Sequence, residues 1–291
     1  MNTFTITNAC RLKKDKCYDL GTKGKGENEV MNNIKNGKEN LYLQIACAFA
    51  YISMVAVNIL SETLPINGVT SANVSDLYPT LFTPAGITFS IWGVIYILLG
   101  IFIVLQFLKK NKEISLDIGV LFIISSALNI CWLIAWHYQM LILSLAIIVG
   151  LLITLLKISW RLDRAPNLIR APFSIYFGWI TVASIANLMV LLLAKFENFW
   201  GSTFEVIITV IALVVAGMIG AWRIKYKNDI LYGLTIVWSI IGIVINHISF
   251  YNASYTSIFT ACFFSLALLI FTMVMNISNS KNRFQLKSKT L

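Results

Sequence analysis

Three sets of side chains in this sequence place aromatic rings, two of them with a neutral amide, at helical spacing. Phe89, Trp92 and Tyr96 follow at three and four residues, so their rings share one helix face. Asn129, Trp132 and Trp136 repeat that spacing, with His137 next in the chain. Tyr176, Trp179, Ala183 and Asn187 recur at three, four and four residues and make one continuous face. A helix face that is bulky, aromatic and able to hydrogen-bond has something other than lipid to meet. Acid–base or nucleophilic catalysis needs something else: a titratable pair, or a nucleophile with its base. The chain has two histidines, His137 and His247, without a nearby carboxylate, and five scattered cysteines without zinc spacing. No catalytic residue and no metal ligand is assigned, and an enzymatic role is the less favoured reading.

The elements that carry these sets are membrane spans. Residues 84–107 hold no charge over 24 residues, more than the roughly 20 needed to cross a hydrocarbon core of about 30 Å. Pro84 is expected in the first turn of that helix. Composition agrees, with 58% hydrophobic and 12% charged residues, where soluble domains carry about 25% charged. Eight spans are predicted, at 41–60, 84–107, 117–138, 139–160, 172–194, 204–222, 229–249 and 254–276. The third and fourth are joined by a tight turn at His137-Tyr138-Gln139-Met140. All five prolines are expected in loops or at helix starts, so no span is visibly broken. No Lys, Arg, Asp or Glu lies near the middle of a span, which excludes a retinal Schiff base and argues against a pump. Asp117, Glu205 and Asp229 stand at helix starts, where a carboxylate meets the positive end of the dipole.

Basic residues orient the bundle. In this topology 22 of the 23 Lys and Arg fall on one side and Lys195 alone on the other. The fold class expected is an all-α membrane protein, an eight-helix bundle with both termini cytoplasmic, multi-pass in the plasma (inner) membrane. The net charge of +10 then reflects topology and attraction to anionic lipid heads, with no nucleic-acid partner. Residues 1–40 read as a flexible cytoplasmic tail, with Met1 and Met31 both open as starts, and 277–291 as a basic cytoplasmic tail. The outer segment 61–83 is long enough to fold over the bundle mouth. At about 1.5 Å per residue, Trp92, Asn129, Trp132 and Asn187 lie roughly 9–14 Å below the outer surface. They are placed to line a common cavity opening outward.

Structural roles compete with that reading. Trp160, Trp200 and Trp222, near span ends, read as an interfacial belt. Asn129 and Asn187, each taken alone, read as hydrogen-bonding groups between helices, worth about 0.6–2 kcal/mol. His137 and His247 read as interfacial or hydrogen-bonded histidines, with a haem-iron pair as the alternative. The small-residue ridge Ala212, Ala216, Gly220 suits packing inside a monomer or a homodimer seam. Trp238, Gly242 and Asn246 echo the spacing of Trp179, Ala183 and Asn187, by duplication of a helix pair or by chance. Sequons at Asn73-Val-Ser75 and Asn252-Ala-Ser254 face outward.

Three motifs in order, Phe89–Tyr96, Leu128–Trp132 and Tyr176–Asn187, resemble the tryptophan-rich sensory protein family, which includes the mitochondrial translocator protein or peripheral benzodiazepine receptor. Trp92 to Tyr96, Asn129 to Trp132, and Tyr176 to Trp179 to Ala183 to Asn187 keep the family spacings. Gly86 stands one residue closer to Trp92 than in the family, Pro84-Ala85 replaces its Pro-Pro pair, and Ile175 its proline before the tyrosine. The resemblance covers residues 41–194. It implies a five-helix translocator-protein-like core, with residues 195–276 as three additional transmembrane helices. It also implies an outward pocket closed by the loop between the first two helices, with Trp92, Tyr96, Asn129, Trp132, Tyr176, Trp179, Ala183 and Asn187 as ligand-binding residues. The implied function is a receptor, sensor or carrier for a planar hydrophobic molecule: porphyrin, haem or a sterol-like compound. No cofactor is required, a porphyrin or haem being the bound group to expect; membrane lipid and a small hydrophobic ligand are the partners. The alternatives are a permease for small hydrophobic molecules and an enzyme modifying a lipid or tetrapyrrole.

Overall fold

Long uncharged runs in a chain with few internal prolines leave the backbone one way to satisfy its polar groups in an apolar medium, the α-helix. The computed structural model describes residues 40–64, 66–108, 116–196, 201–251 and 255–289, with side chains to residue 278. Residues 1–39 with Met31, Lys109, Lys110 and Lys112, Trp200, the Asn252 sequon and the C-terminal basic side chains lie outside the described residues. Among the described residues there are nine α-helices: α1 (Asn40–Thr63), α2 (Ser71–Asp76), α3 (Ile91–Phe107), α4 (Leu116–His137), α5 (Leu141–Arg161), α6 (Asn167–Lys195), α7 (Thr203–Lys227), α8 (Ile230–Phe250) and α9 (Thr256–Lys289). All but α2 are long and apolar enough to cross a membrane, α3 together with the turn before it as Gly86–Phe107.

Two helix starts differ from expectation. A 3-10 turn, Gly86–Ser90, precedes α3, so Pro84 lies ahead of the helix and Phe89 belongs to the turn. The 3-10 turn fits Gly242 on α8, whose carbonyl accepts from the Ala85 N–H at 2.9 Å and so holds the backbone just before it. Helix α6 starts at Asn167, which puts Pro172 inside it. In the second turn the missing N–H forfeits a single bond, to the Leu168 carbonyl, and the helix continues. The α4–α5 turn closes where it was expected: Gln139 takes positive φ and Met140 N–H donates to Ala135 O at 2.9 Å. Helix α9 stays helical past the end of its apolar run, to Lys289.

Residues Cys47–Leu291 form one unit, and α6 and α8 are its most buried helices. Of the best apolar window in each, 56% is buried, against 33% in α3, α5, α7 and α9. Phe102, Phe122 and Phe173 form an aromatic core between α3, α4 and α6, with centroids 4.8–6.2 Å apart. Ser265 Oγ on α9 donates to Leu213 O on α7, beside the small residues Ala212 and Ala216, so α9 of the same chain covers that ridge.

At the end of the bundle holding the α7–α8 turn, Asp229 caps α8 and accepts from Arg223 at 2.5 Å, with Arg170 at 3.5 Å. Arg223 also lies over the Phe177 and Tyr232 rings. An arginine paired, stacked and hydrogen-bonded to Ser159 is tolerable in a buried position where a bare charge is not. Trp160 and Trp222 stand near helix ends with more than half of their surface exposed, as belt residues do.

Candidate functional site

Helical spacing on α3, α4 and α6 brings the rings together around Trp92. Tyr96 stacks on it at 5.6 Å and 17°, and Trp132 lies tilted at 5.9 Å. Tyr176 and Trp179 meet it edge-on at 5.9 and 6.2 Å, and Phe89 meets Trp179 at 5.7 Å. Offset and edge-to-face contacts of this kind are worth about 0.5–1.5 kcal/mol each beyond burial.

The amides tie the same helices together. Asn129, fully buried, donates from Nδ2 to the Tyr176 hydroxyl at 3.0 Å and accepts from Asn58 Nδ2 of α1 at 2.9 Å. Trp132 Nε1 donates to Asn187 Oδ1 at 3.3 Å, and Ser144 Oγ of α5 donates to the same oxygen at 2.7 Å. Asn187 Nδ2 returns to the Ala183 carbonyl at 2.9 Å. All eight residues selected from the sequence thus belong to one connected cluster.

Most of that cluster is filled. Asn129, Trp132, Tyr176, Trp179 and Asn187 are each under 5% exposed. The open space lies on the α1 side: a hollow of ≈ 510 Å³ walled by α1 (Asn58, Glu62), α2 (Ser71), the 3-10 turn (Phe89) and α3 (Trp92, Tyr96). Of the eight, Trp92 and Tyr96 line it, and the other six stand behind them. Two polar atoms here, Tyr96 OH and Trp179 Nε1, are buried without a hydrogen-bond partner among the described residues.

The 61–83 segment crosses this end of the bundle. Glu62 Oε1 accepts from the Ser71 N–H at 3.2 Å, and Trp136 Nε1 donates to Ser71 O at 3.2 Å. Asn67 Nδ2 donates to His137 O, and Tyr78 OH to Gln139 Oε1.

Beyond it, residues 79–88 are held by the last helices. Trp238 Nε1 donates to Thr88 O at 3.0 Å, Asn246 Nδ2 to Thr83 O at 2.9 Å, and Tyr251 OH to Pro79 O at 3.3 Å. His247 Nε2 bonds Leu81 O at 2.8 Å, and Glu205 Oε1 accepts from Leu81 N–H at 2.7 Å. The Trp238, Gly242, Asn246 face is therefore a row of contacts to the strap that leads into Trp92. Sequence reasoning missed this, because the partners are backbone groups with no signature. It also passed over Asn58 and Glu62, although a polar residue four positions before a carboxylate, at the end of an apolar run, was a readable signal. His137 bonds the Leu133 carbonyl, and neither histidine lines the hollow.

Against known families, residues 44–275 match the model of the TSPO-like protein family. The match runs through the last three spans, beyond the 41–194 stretch that carries the motifs. Comparison with curated proteins and with solved structures returns no match.

Proposed function

We propose a function from one premise: the chain belongs to the TSPO-like protein family. It is a multi-pass integral membrane protein of that type, with eight apolar helices. In our reading it is a receptor, sensor or carrier for a planar hydrophobic molecule of porphyrin, haem or sterol-like shape. The membrane is the plasma membrane, with the basic face toward the cytoplasm.

The observation that carries this is the convergence of four rings on Trp92, at the wall of a hollow crossed by the 61–83 segment. A volume of ≈ 510 Å³ falls within the range of about 300–1,000 Å³ found for small-molecule sites. Trp92, Tyr96 and Phe89 give the guest its stacking surface, and the neutral groups of Asn58 and Ser71 give it hydrogen-bonding partners. Asn129, Trp132, Tyr176, Trp179, Ala183 and Asn187 act behind that surface by fixing the Trp92 ring. The guest is held without an iron ligand from His137 or His247.

An uncharged tetrapyrrole, protoporphyrin dimethyl ester, tests the site by fluorescence titration of the purified protein in nonionic detergent. Trp92→Ala is expected to weaken its binding about tenfold, since it removes the central stacking partner, and to lower the melting temperature as the four ring contacts are lost, so affinity is compared below the melting temperature of the variant. Equal affinity in the two proteins overturns the assigned hollow.

A further inference from the structure

The hollow has a sign. Glu62 is the one charged side chain among its lining residues, and it is exposed. All the lining falls between residues 58 and 96, and the stretch 41–108 holds two acids, Glu62 and Asp76, and no Lys or Arg. Among the other described residues, this end of the bundle adds Glu205 and Lys195. Glu205 is occupied, since its two oxygens accept from Leu81 N–H and Gly201 N–H. Glu62 is only half engaged: Oε1 takes the Ser71 N–H, and the described residues give it no ion pair.

A carboxylate beside aromatic faces is the chemistry that recognises an organic cation. The ring quadrupole attracts positive charge over the face of Trp, Tyr or Phe, and the carboxylate adds a Coulomb term. The same arrangement repels an anion, with no basic side chain in the lining to offset it. We propose that the hollow selects a planar cation, an aromatic amine, amidinium or quaternary ammonium compound, whose charge sits at Glu62 and whose rings lie against Trp92 and Phe89. This rests on the reading of the hollow as the ligand site, and narrows it against acidic porphyrins.

Three probes of one ring system separate the claims: 9-aminoacridine, acridine and acridine-9-carboxylate, which near neutral pH are a cation, a neutral molecule and an anion. Binding to the full chain in nonionic detergent is followed by equilibrium dialysis. The cation is expected to bind about tenfold or more tightly than the anion, with the neutral probe between. Glu62→Gln should bring the three within about twofold, and Glu62→Asp should keep the order. If the neutral probe binds and Trp92→Ala weakens it, but the charge order is absent or survives Glu62→Gln, the cation proposal fails and the hollow stands. If no probe binds, or Trp92→Ala changes nothing, the hollow itself is refuted.

Discussion

Asn129 shows what a single neutral amide does in this bundle. With no exposed surface it joins α1, α4 and α6 through Asn58 and Tyr176. A mid-membrane amide has no water to fall back on, so replacing it strands both partners. Asn129→Ala is expected to cost about 1–2 kcal/mol of stability, read as a lower midpoint in thermal or detergent unfolding. Its effect on acridine affinity should stay within about threefold, because Asn129 does not line the hollow. A large loss of affinity at unchanged stability would make Asn129 a direct ligand contact. The spacing of Asn129 and Trp132 placed them correctly on one face of α4. What that face meets was hidden, because Asn58 lies 71 residues away on a helix with little else to mark it.

The eighth helix shows where an element can be read and where it cannot. Its Trp238, Gly242, Asn246 periodicity is plain in the sequence, yet that pattern equally describes a ligand face, a duplicated motif or a packing face. The strap it holds is specified by carbonyls and N–H groups, which every residue possesses, so no pattern of side chains announces it. Gly242 is the tightest point. A methyl group there would overlap Thr88 Oγ1 and press on the Thr88 side chain, forcing the 85–88 turn away from α8. Gly242→Ala should therefore destabilise the protein by about 1–3 kcal/mol, as overpacking does, and weaken binding at Trp92 as the turn shifts. Adding Thr88→Ala should recover a good part of both losses. A double variant as impaired as the single one would show that the turn does not respond to α8. The eight apolar runs were legible because uncharged length dictates them, whereas the extension of α9 to Lys289, past the apolar run, was not. Nor was the start of α3, since the 3-10 turn is held by a contact from α8.

At the scale of the whole molecule, the sequence predicts that charge is segregated by end. An even number of crossings is expected to put both termini on the side with 22 of the 23 basic residues, and to leave Lys195, exposed at the end of α6, alone on the other. A membrane-impermeant amine reagent applied to intact cells is expected to modify Lys195 and no other lysine. Labelling of Lys281, Lys287 or Lys289 instead would reverse the orientation. The five-helix core implied by the motifs was only part of the picture, because the Trp, Tyr and Asn signature stops at Asn187 while the contacts that hold the site do not. Leu81 makes this concrete: its N–H is met by Glu205, 124 residues on, and its carbonyl by His247, 166 residues on. A nascent chain therefore makes residues 79–88 long before the groups on α7 and α8 that hold them. The strap must wait, unmatched, until the seventh and eighth helices have been threaded into the bilayer. The backbone leading into Trp92 can take its final position only once His247 has been made.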